Sequence, residues 1–206
     1  MVMFVVKFIK SNNAETTRKE WEIDARGLVE YSGVHSLSLY KVVGGIKKDV
    51  FPEYQFVSII EFENREAYEK VQKEKHGIEL LNEGATLCQT YHFEKTMQLD
   101  TKNVLLINPF EIGEDQIESL LVLWYEICKV MVKKEGFIGV NFLKASEPQS
   151  KFKFINLAEW RSIDKFREAI QSFEHTQFRE RISQYKGHPT VCEHVETIRR
   201  NSLAEV

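Results

Sequence analysis

The stretch Ile117-Glu-Ser-Leu-Leu-Val-Leu-Trp-Tyr-Glu-Ile-Cys-Lys-Val-Met131, followed closely by Lys133-Lys-Glu-Gly136, decides how the rest of the chain is read. Ile117, Leu120, Leu121, Trp124, Cys128 and Met131 recur at helical spacing and make one continuous apolar face. Lys133 and Lys134 suit the negative end of a helix dipole. Gly136 suits the left-handed residue that ends a helix. Downstream, Phe137 to Lys144 and Phe152 to Trp160 read as strands, and Ser162 as the cap of a second helix with Phe166, Ala169 and Ile170 inward. Helical spacing continues from Glu174 to Tyr185 through Phe178, Ile182 and Tyr185. Pro189 then bars further helix, and Thr190 to Ile198 is a closing strand, with Arg199 to Val206 a polar tail. Upstream, Val104 to Ile107 is a strand leading through Gly113-Glu-Asp-Gln116 into the first helix. The order is strand, helix, strand, strand, helix, strand.

The same order occupies the first half. Phe4 to Ile9 is a strand rich in β-branched and aromatic residues. Trp21, Ala25 and Leu28 lie on one helix face, and Gly33 stops that helix. His35 to Val43 and Tyr54 to Phe62 are strands, with Gly44-Gly45 opening the loop between them. Asn64 caps a helix that carries Tyr68 and Val71 inward and ends near Gly77 or Gly84, and Thr86 to Phe93 closes the half. Gly33 matches Gly136, and Ile60-Glu-Phe62 matches Ala158-Glu-Trp160. We therefore expect two ferredoxin-like βαββαβ repeats, residues 1–96 and 103–198, joined by the polar connector Met97 to Lys102. The helices cover one face of each sheet. The strands are apolar on both faces, so the other face also needs burial, and packing sheet against sheet provides it. The expected fold is α+β, an intrachain dimeric α/β barrel.

The chain has 206 residues, 43% hydrophobic and 29% charged, with a formal net charge of −3. That balance describes a globular protein and gives no basic stripe for nucleic acid. The apolar start is interrupted by Lys7, and no uncharged run approaches the roughly 18 residues of a membrane span. Three widely separated cysteines and six scattered histidines offer neither a disulfide framework nor metal spacing. We expect a cytoplasmic protein with no metal or other cofactor and no nucleic-acid or membrane partner.

Residues 103 to about 198 resemble the antibiotic biosynthesis monooxygenase superfamily. The resemblance is carried by Leu106-Ile-Asn-Pro-Phe-Glu-Ile112, Glu135-Gly-Phe-Ile-Gly-Val140 and Phe154-Ile-Asn-Leu-Ala-Glu-Trp-Arg-Ser162, followed by His175 and His188-Pro189. The first half is similar only in outline, with Phe62 in place of Trp160 and nothing like Asn108-Pro109. The resemblance implies the dimeric barrel and, as one activity of the superfamily, cofactor-independent oxygenation of aromatic compounds. In the similar haem-degrading branch an Asn stands on the first strand, where Asn108 falls. Phe166-Arg-Glu-Ala169 occupies the place of that branch's Trp, however, and no His lies in Arg179 to Ile182. Haem degradation accordingly ranks third.

The candidate site residues follow. Asn108, before Pro109 at the end of its strand, has an amide suited to a ligand carbonyl or oxyanion; its other reading is a turn residue bonding its own backbone. His175 and His188 have the pKa range of a base near neutrality; their other reading is as surface groups. Trp160 is an aromatic wall for a substrate or a core residue. Trp124 is core with an end that can line a pocket, and Phe110 and Phe137 are further walls. His35, His76, His92 and His194 have no neighbours in sequence that assign them a task. Glu159 and Arg161 read as a strand-exposed ion pair, and Lys73-Glu-Lys75 as a solvated helix face. Two functions from different classes stand: a monooxygenase acting on a small aromatic molecule, and a non-catalytic binding or assembly module. A homodimer of such pseudo-dimers is open in either case.

Overall fold

A computed structural model describes residues 1–45, 53–74, 78–97 and 102–200. His76, Gly77, Lys75, most of the connector and the end of the tail lie outside these residues.

The first repeat runs β1 (Met3–Ile9), α1 (Ala14–Val29), β2 (Val34–Gly45), β3 (Phe56–Phe62), α2 (Arg65–Glu74) and β4 (Ala85–Glu94). The second runs β5 (Val104–Phe110), α3 (Ile117–Met131), β6 (Phe137–Ala145), β7 (Phe154–Trp160), α4 (Ile163–Gln171), α5 (Phe173–Thr176), α6 (Arg179–Ile182) and β8 (Thr190–Arg199). These are the two expected ferredoxin-like βαββαβ repeats. In the first, β1 lies between β3 and β4, with β2 on the far side of β3, all antiparallel. In the second, β5 lies between β7 and β8, with β6 beyond β7. In the strand order β8 neighbours β2, and β4 neighbours β6.

Two compact units emerge: Met1–Val42, Glu53–Gln89 and Val195–Val206 in one, Val43–Pro52 and Thr90–His194 in the other. In the first unit, Trp21, Ala25 and Leu28 of α1 and Val71 of α2 pack on Met3, Val5, Ile60 and Phe62 of the sheet. In the second, Leu120, Trp124, Cys128 and Met131 of α3 and Phe166 and Ala169 of α4 pack on Val104, Phe142, Phe154 and Trp160. The alternate strand residues are buried as well, including Val6 and Val57 in the first unit and Ile107, Leu143, Ile155 and Leu157 in the second. A strand buried on both sides loses the polar alternation of a half-exposed one, as the two-sided apolar patterns led us to expect.

Local chemistry explains the element ends. Asn64 accepts the Ala67 N–H at 2.9 Å, and Ser162 accepts the Lys165 N–H at 3.3 Å. Asn13 caps α1 by accepting from Glu15 and Thr16. Gly33 and Gly136 have φ of +86° and +83°, the left-handed backbone after a helix. A Cβ at either would stand 2.5 Å from a side-chain carbon of the next long helix, Ala67 or Lys165. Glycine is therefore demanded twice at each place, by φ and by space.

Four expectations need correction. Gly44-Gly45 does not open a loop, because β2 runs through Gly45. The helical spacing from Glu174 to Tyr185 yields two single-turn helices rather than one, α5 and α6. Glu159 is not on an exposed face: it is 1% exposed, and it accepts a hydrogen bond from Asn103 Nδ2 at 2.8 Å. Asn108 does not end its strand, since β5 continues through Pro109 to Phe110. Pro109 fits there because its carbonyl still accepts, from the His188 N–H at 3.0 Å.

Candidate functional site

On β5, Val104, Leu106, Asn108 and Phe110 share the face that looks toward α3, by strand alternation from the packed Val104 and Phe110. Asn108 pairs in register with Asn156 of β7. Asn156 Oδ1 accepts the indole N–H of Trp124 at 2.9 Å. Trp124 stacks on Phe142 with centroids 4.4 Å apart, and Phe142 stacks on Phe154 at 5.0 Å. Phe110 meets Phe142 edge-on at 6.3 Å. Two asparagine amides thus sit in a layer of aromatic rings. Asn108 Oδ1 is buried with no hydrogen-bond partner among the described residues, which costs free energy unless something donates to it.

The segment Lys186-Gly-His188 runs beside β5. Glu111 N–H donates to the Lys186 carbonyl at 2.9 Å, and Phe110 bridges to Gly187. A Cβ at Gly187 would stand 3.0 Å from Asn108 Oδ1 and 3.4 Å from a ring carbon of Phe110. Glycine lets the backbone come up to the amide.

The other candidates lie elsewhere in the unit. Trp160 is 1% exposed, edge-on to Phe137 at 5.3 Å and tilted on Phe166 at 5.6 Å. Trp160 is thus a core residue, its buried indole N–H unpartnered. Phe137 is half-buried, with Lys95 Nζ 5.6 Å from its centroid. His188 has Nε2 3.3 Å from Glu111 Oε2 and its ring edge-on to Phe152. Lys186 hydrogen-bonds the same Glu111, holding that carboxyl below its usual range, with His188 and Lys151 adding to the effect against partial desolvation. His175, on α5, has Nδ1 3.0 Å from the Ile170 carbonyl. Burial lowers its pKa, and nearby Arg179 and Lys134 push the same way against that hydrogen bond. The structure therefore joins Asn108, Phe110 and Trp124 in one layer, and Phe137 with Trp160 in another place. The His175 ring is engaged by the Ile170 carbonyl and the His188 ring by Glu111.

Sequence reasoning missed several members. Asn156, Phe142 and Phe154 complete the layer around Trp124. His92 of β4 lies edge-on to Trp124 at 5.5 Å and to Tyr125 at 4.9 Å. A signal for the layer does exist in the sequence, since Trp21 and Trp124 each precede the matched glycine, Gly33 or Gly136, by twelve residues. Trp21 Nε1 donates to Ser58 Oγ at 2.8 Å in the first unit, as Trp124 does to Asn156 in the second. Ser58 and Asn156 occupy corresponding places, each four residues before the end of β3 or β7.

The fold is a tandem ferredoxin-like α+β arrangement that several solved structures share. An anthrone oxidase-like protein is similar over 97% of this chain and 93% of its own, at 13% identity and a TM-score of 0.73. A protein provisionally named a monooxygenase, from Fusobacterium nucleatum, is similar over 97% and 94%, at 9% identity and a TM-score of 0.65. A ferredoxin-fold protein related to antibiotic biosynthesis monooxygenases, from Listeria monocytogenes, is similar over 95% and 96%, at 14% identity and a TM-score of 0.51. No family model and no curated protein sequence matches the chain. The resemblance to the antibiotic biosynthesis monooxygenase superfamily, read from residues 103 to 198, fits these solved neighbours. No helix among the described residues is long and apolar enough to cross a membrane.

Proposed function

We propose that the chain is a cofactor-independent monooxygenase acting on an electron-rich aromatic small molecule, with its site at the Asn108–Asn156–Trp124 layer. The carrying observation is the buried, unpartnered Oδ1 of Asn108 beside Phe110 and the backbone of Gly187. A hydroxyl of a phenolic substrate would donate to that oxygen, while the Asn108 amide N–H groups would steady an oxyanion formed on the ring. Aromatic walls keep the site dry, which strengthens both interactions. In the reaction a methylene carbon of an anthrone-like substrate loses two hydrogens and gains one oxygen atom from O2, and the second oxygen leaves as water. The electrons come from the substrate, so the balance needs no other reductant. Free, buried Cys88, Cys128 and Cys192 agree with a reducing compartment such as the cytoplasm.

A second reading, a binding module without catalysis, has its own supporting observation. The stacked rings of Trp124, Phe142 and Phe154 already fill much of the layer. Oxygen uptake with anthrone, beside anthrone binding followed by tryptophan fluorescence, separates the two. The oxygenase reading expects saturable uptake that falls at least about tenfold in Asn108→Leu. Binding without uptake above the spontaneous rate would assign the module instead.

A further inference from the structure

We propose that Tyr125, His92 and Glu94 form a proton relay beside Trp124, and that this relay is the base of the site. The proposal rests on the oxygenase reading above. Such a reaction needs a group that removes a proton from carbon, and neither histidine chosen from sequence is placed for it. His175 Nδ1 is tied to the Ile170 carbonyl, and His188 is turned toward Glu111.

His92 is placed differently. Its Nδ1 lies 3.3 Å from the Tyr125 hydroxyl, and its Nε2 lies 3.6 Å from Glu94 Oε2. The arrangement has the logic of a relay: a proton-carrying oxygen, an imidazole within reach of it, and a carboxylate at the far ring nitrogen. The His92 side chain is 31% exposed, so it exchanges protons with water between turnovers. Tyr125 sits on α3 next to Trp124, and its ring meets the indole edge-on at 5.4 Å. The one indole therefore has the amide pair at its N–H and the relay at its ring. On β4, Tyr91 and Phe93 flank His92 and are 42% and 62% exposed. Tyr91 meets Phe154 edge-on at 5.8 Å, so one exposed aromatic ring touches both solvent and the layer.

The step balances as follows. The C–H bond at the substrate methylene breaks, and its electron pair stays on the substrate as an enolate. The proton passes to Tyr125 Oη as the hydroxyl proton of Tyr125 passes to His92 Nδ1. Glu94 stabilises the resulting imidazolium. Tyr125 is the catalytic residue; His92 and Glu94 are positioning residues that act through it.

The test uses the full chain mixed with anthrone without oxygen, where ionisation is read from the absorbance of the anthrone anion. Tyr125→Phe and His92→Ala are compared with wild type, and far-UV circular dichroism verifies that each is folded. Wild type should ionise the probe, both variants should lose at least about tenfold in that rate, and added imidazole should restore His92→Ala but not Tyr125→Phe. Ionisation retained in both variants would overturn the relay and leave the oxygenase reading standing. Aerobic oxygen uptake by wild type without anaerobic ionisation would likewise overturn the relay alone. A wild type that neither ionises anthrone nor consumes oxygen would bring down both.

Discussion

The hydrogen bond from Trp124 to Asn156 gives the clearest handle on the second unit. Trp124 is 6% exposed, and its N–H has one acceptor, Asn156 Oδ1, at 2.9 Å. Trp124→Phe removes the donor and trims the indole. The trimmed surface, about 40 Å² at about 25 cal/mol per Å², contributes about 1 kcal/mol. The stranded carbonyl of Asn156 adds about 1–3 kcal/mol, for a total of about 2–4 kcal/mol. Asn156→Leu strands the indole N–H instead and costs about 1–3 kcal/mol. In the double variant neither partner is stranded, so both penalties drop out and its cost should fall below the sum of the singles by at least about 2 kcal/mol. Urea unfolding followed by far-UV circular dichroism reads the cycle, with calorimetry expected to show about 2–4 °C per kcal/mol for a chain of this size. The matched pair in the first unit, Trp21→Phe with Ser58→Ala, should show coupling of the same sign. Additivity of the Trp124 and Asn156 changes within about 0.3 kcal/mol would refute the reasoning. The bond would then be geometry without energy.

Other outcomes follow from the same structure. Gly33→Ala and Gly136→Ala should each destabilise by about 2 kcal/mol or more, because left-handed backbone penalises a Cβ by about 1–2 kcal/mol and the helix carbon 2.5 Å away must also move; a calorimetric loss under about 0.5 kcal/mol would contradict this. His175 should titrate, by NMR, below the usual 6.5, because burial disfavours its charged form. Its folded pKa is depressed, so its neutral form contributes stability that is present above the unfolded pKa and lost as pH falls through the folded value; His175→Gln should flatten that part of the stability profile. Burial pushes the Cys128 thiol up to about 11 and the Cys192 thiol up to about 12, and raises Cys88 further. Iodoacetamide at pH 8, mapped by mass spectrometry, should label Cys128 first and slowly, and the other two only on unfolding; rapid labelling of Cys88 would contradict the assignment.

The fold was legible because its signals are local and repeated. A single apolar stripe on α3, a glycine after each first helix and a cap before each second helix depend only on neighbours in sequence, and all three occur twice or continue over several turns. Leu123 shows the limit of the stripe: it falls outside the chosen spacing, yet it is 2% exposed. An apolar helix buried over more than one face hides its orientation. The continuous helix expected over Glu174 to Tyr185 fails for a related reason. Its apolar residues keep helical spacing, but Gln177 and Phe178 separate two single turns, and spacing alone does not hold backbone hydrogen bonds in line. Site residues were less legible because their meaning lies across the sheet. Nothing near Asn156 in sequence reveals that it faces Asn108 and receives an indole N–H, and His92 had no sequence neighbour that tied it to α3. Neither titration range nor a place in the resembling blocks says what a histidine's nitrogens face.

The two repeats also explain why the proposed chemistry falls on the second. Lys7 pairs in register with Ser58 on β3, as Asn108 pairs with Asn156 on β7, so Lys7 and Asn108 hold corresponding places. Each stands across from the residue that takes a tryptophan N–H. A buried ammonium must be surrounded by acceptors, and Lys7, 7% exposed, is: its Nζ reaches the Glu83 carbonyl at 2.6 Å, the Glu79 carbonyl at 3.1 Å and Glu79 Oε1 at 3.2 Å. Those bonds tie the turn Glu79–Leu81 to β1, and they use all three donors of the ammonium. In the first unit, then, the polar side chain at this position holds the chain's own backbone. In the second, the same position carries an amide whose buried oxygen accepts from no group among the described residues. A polar atom kept in a core without a partner is a standing cost, and a ligand that donates to it removes that cost on binding. Lys7 stabilises a scaffold; under the proposed function Asn108 meets the substrate instead.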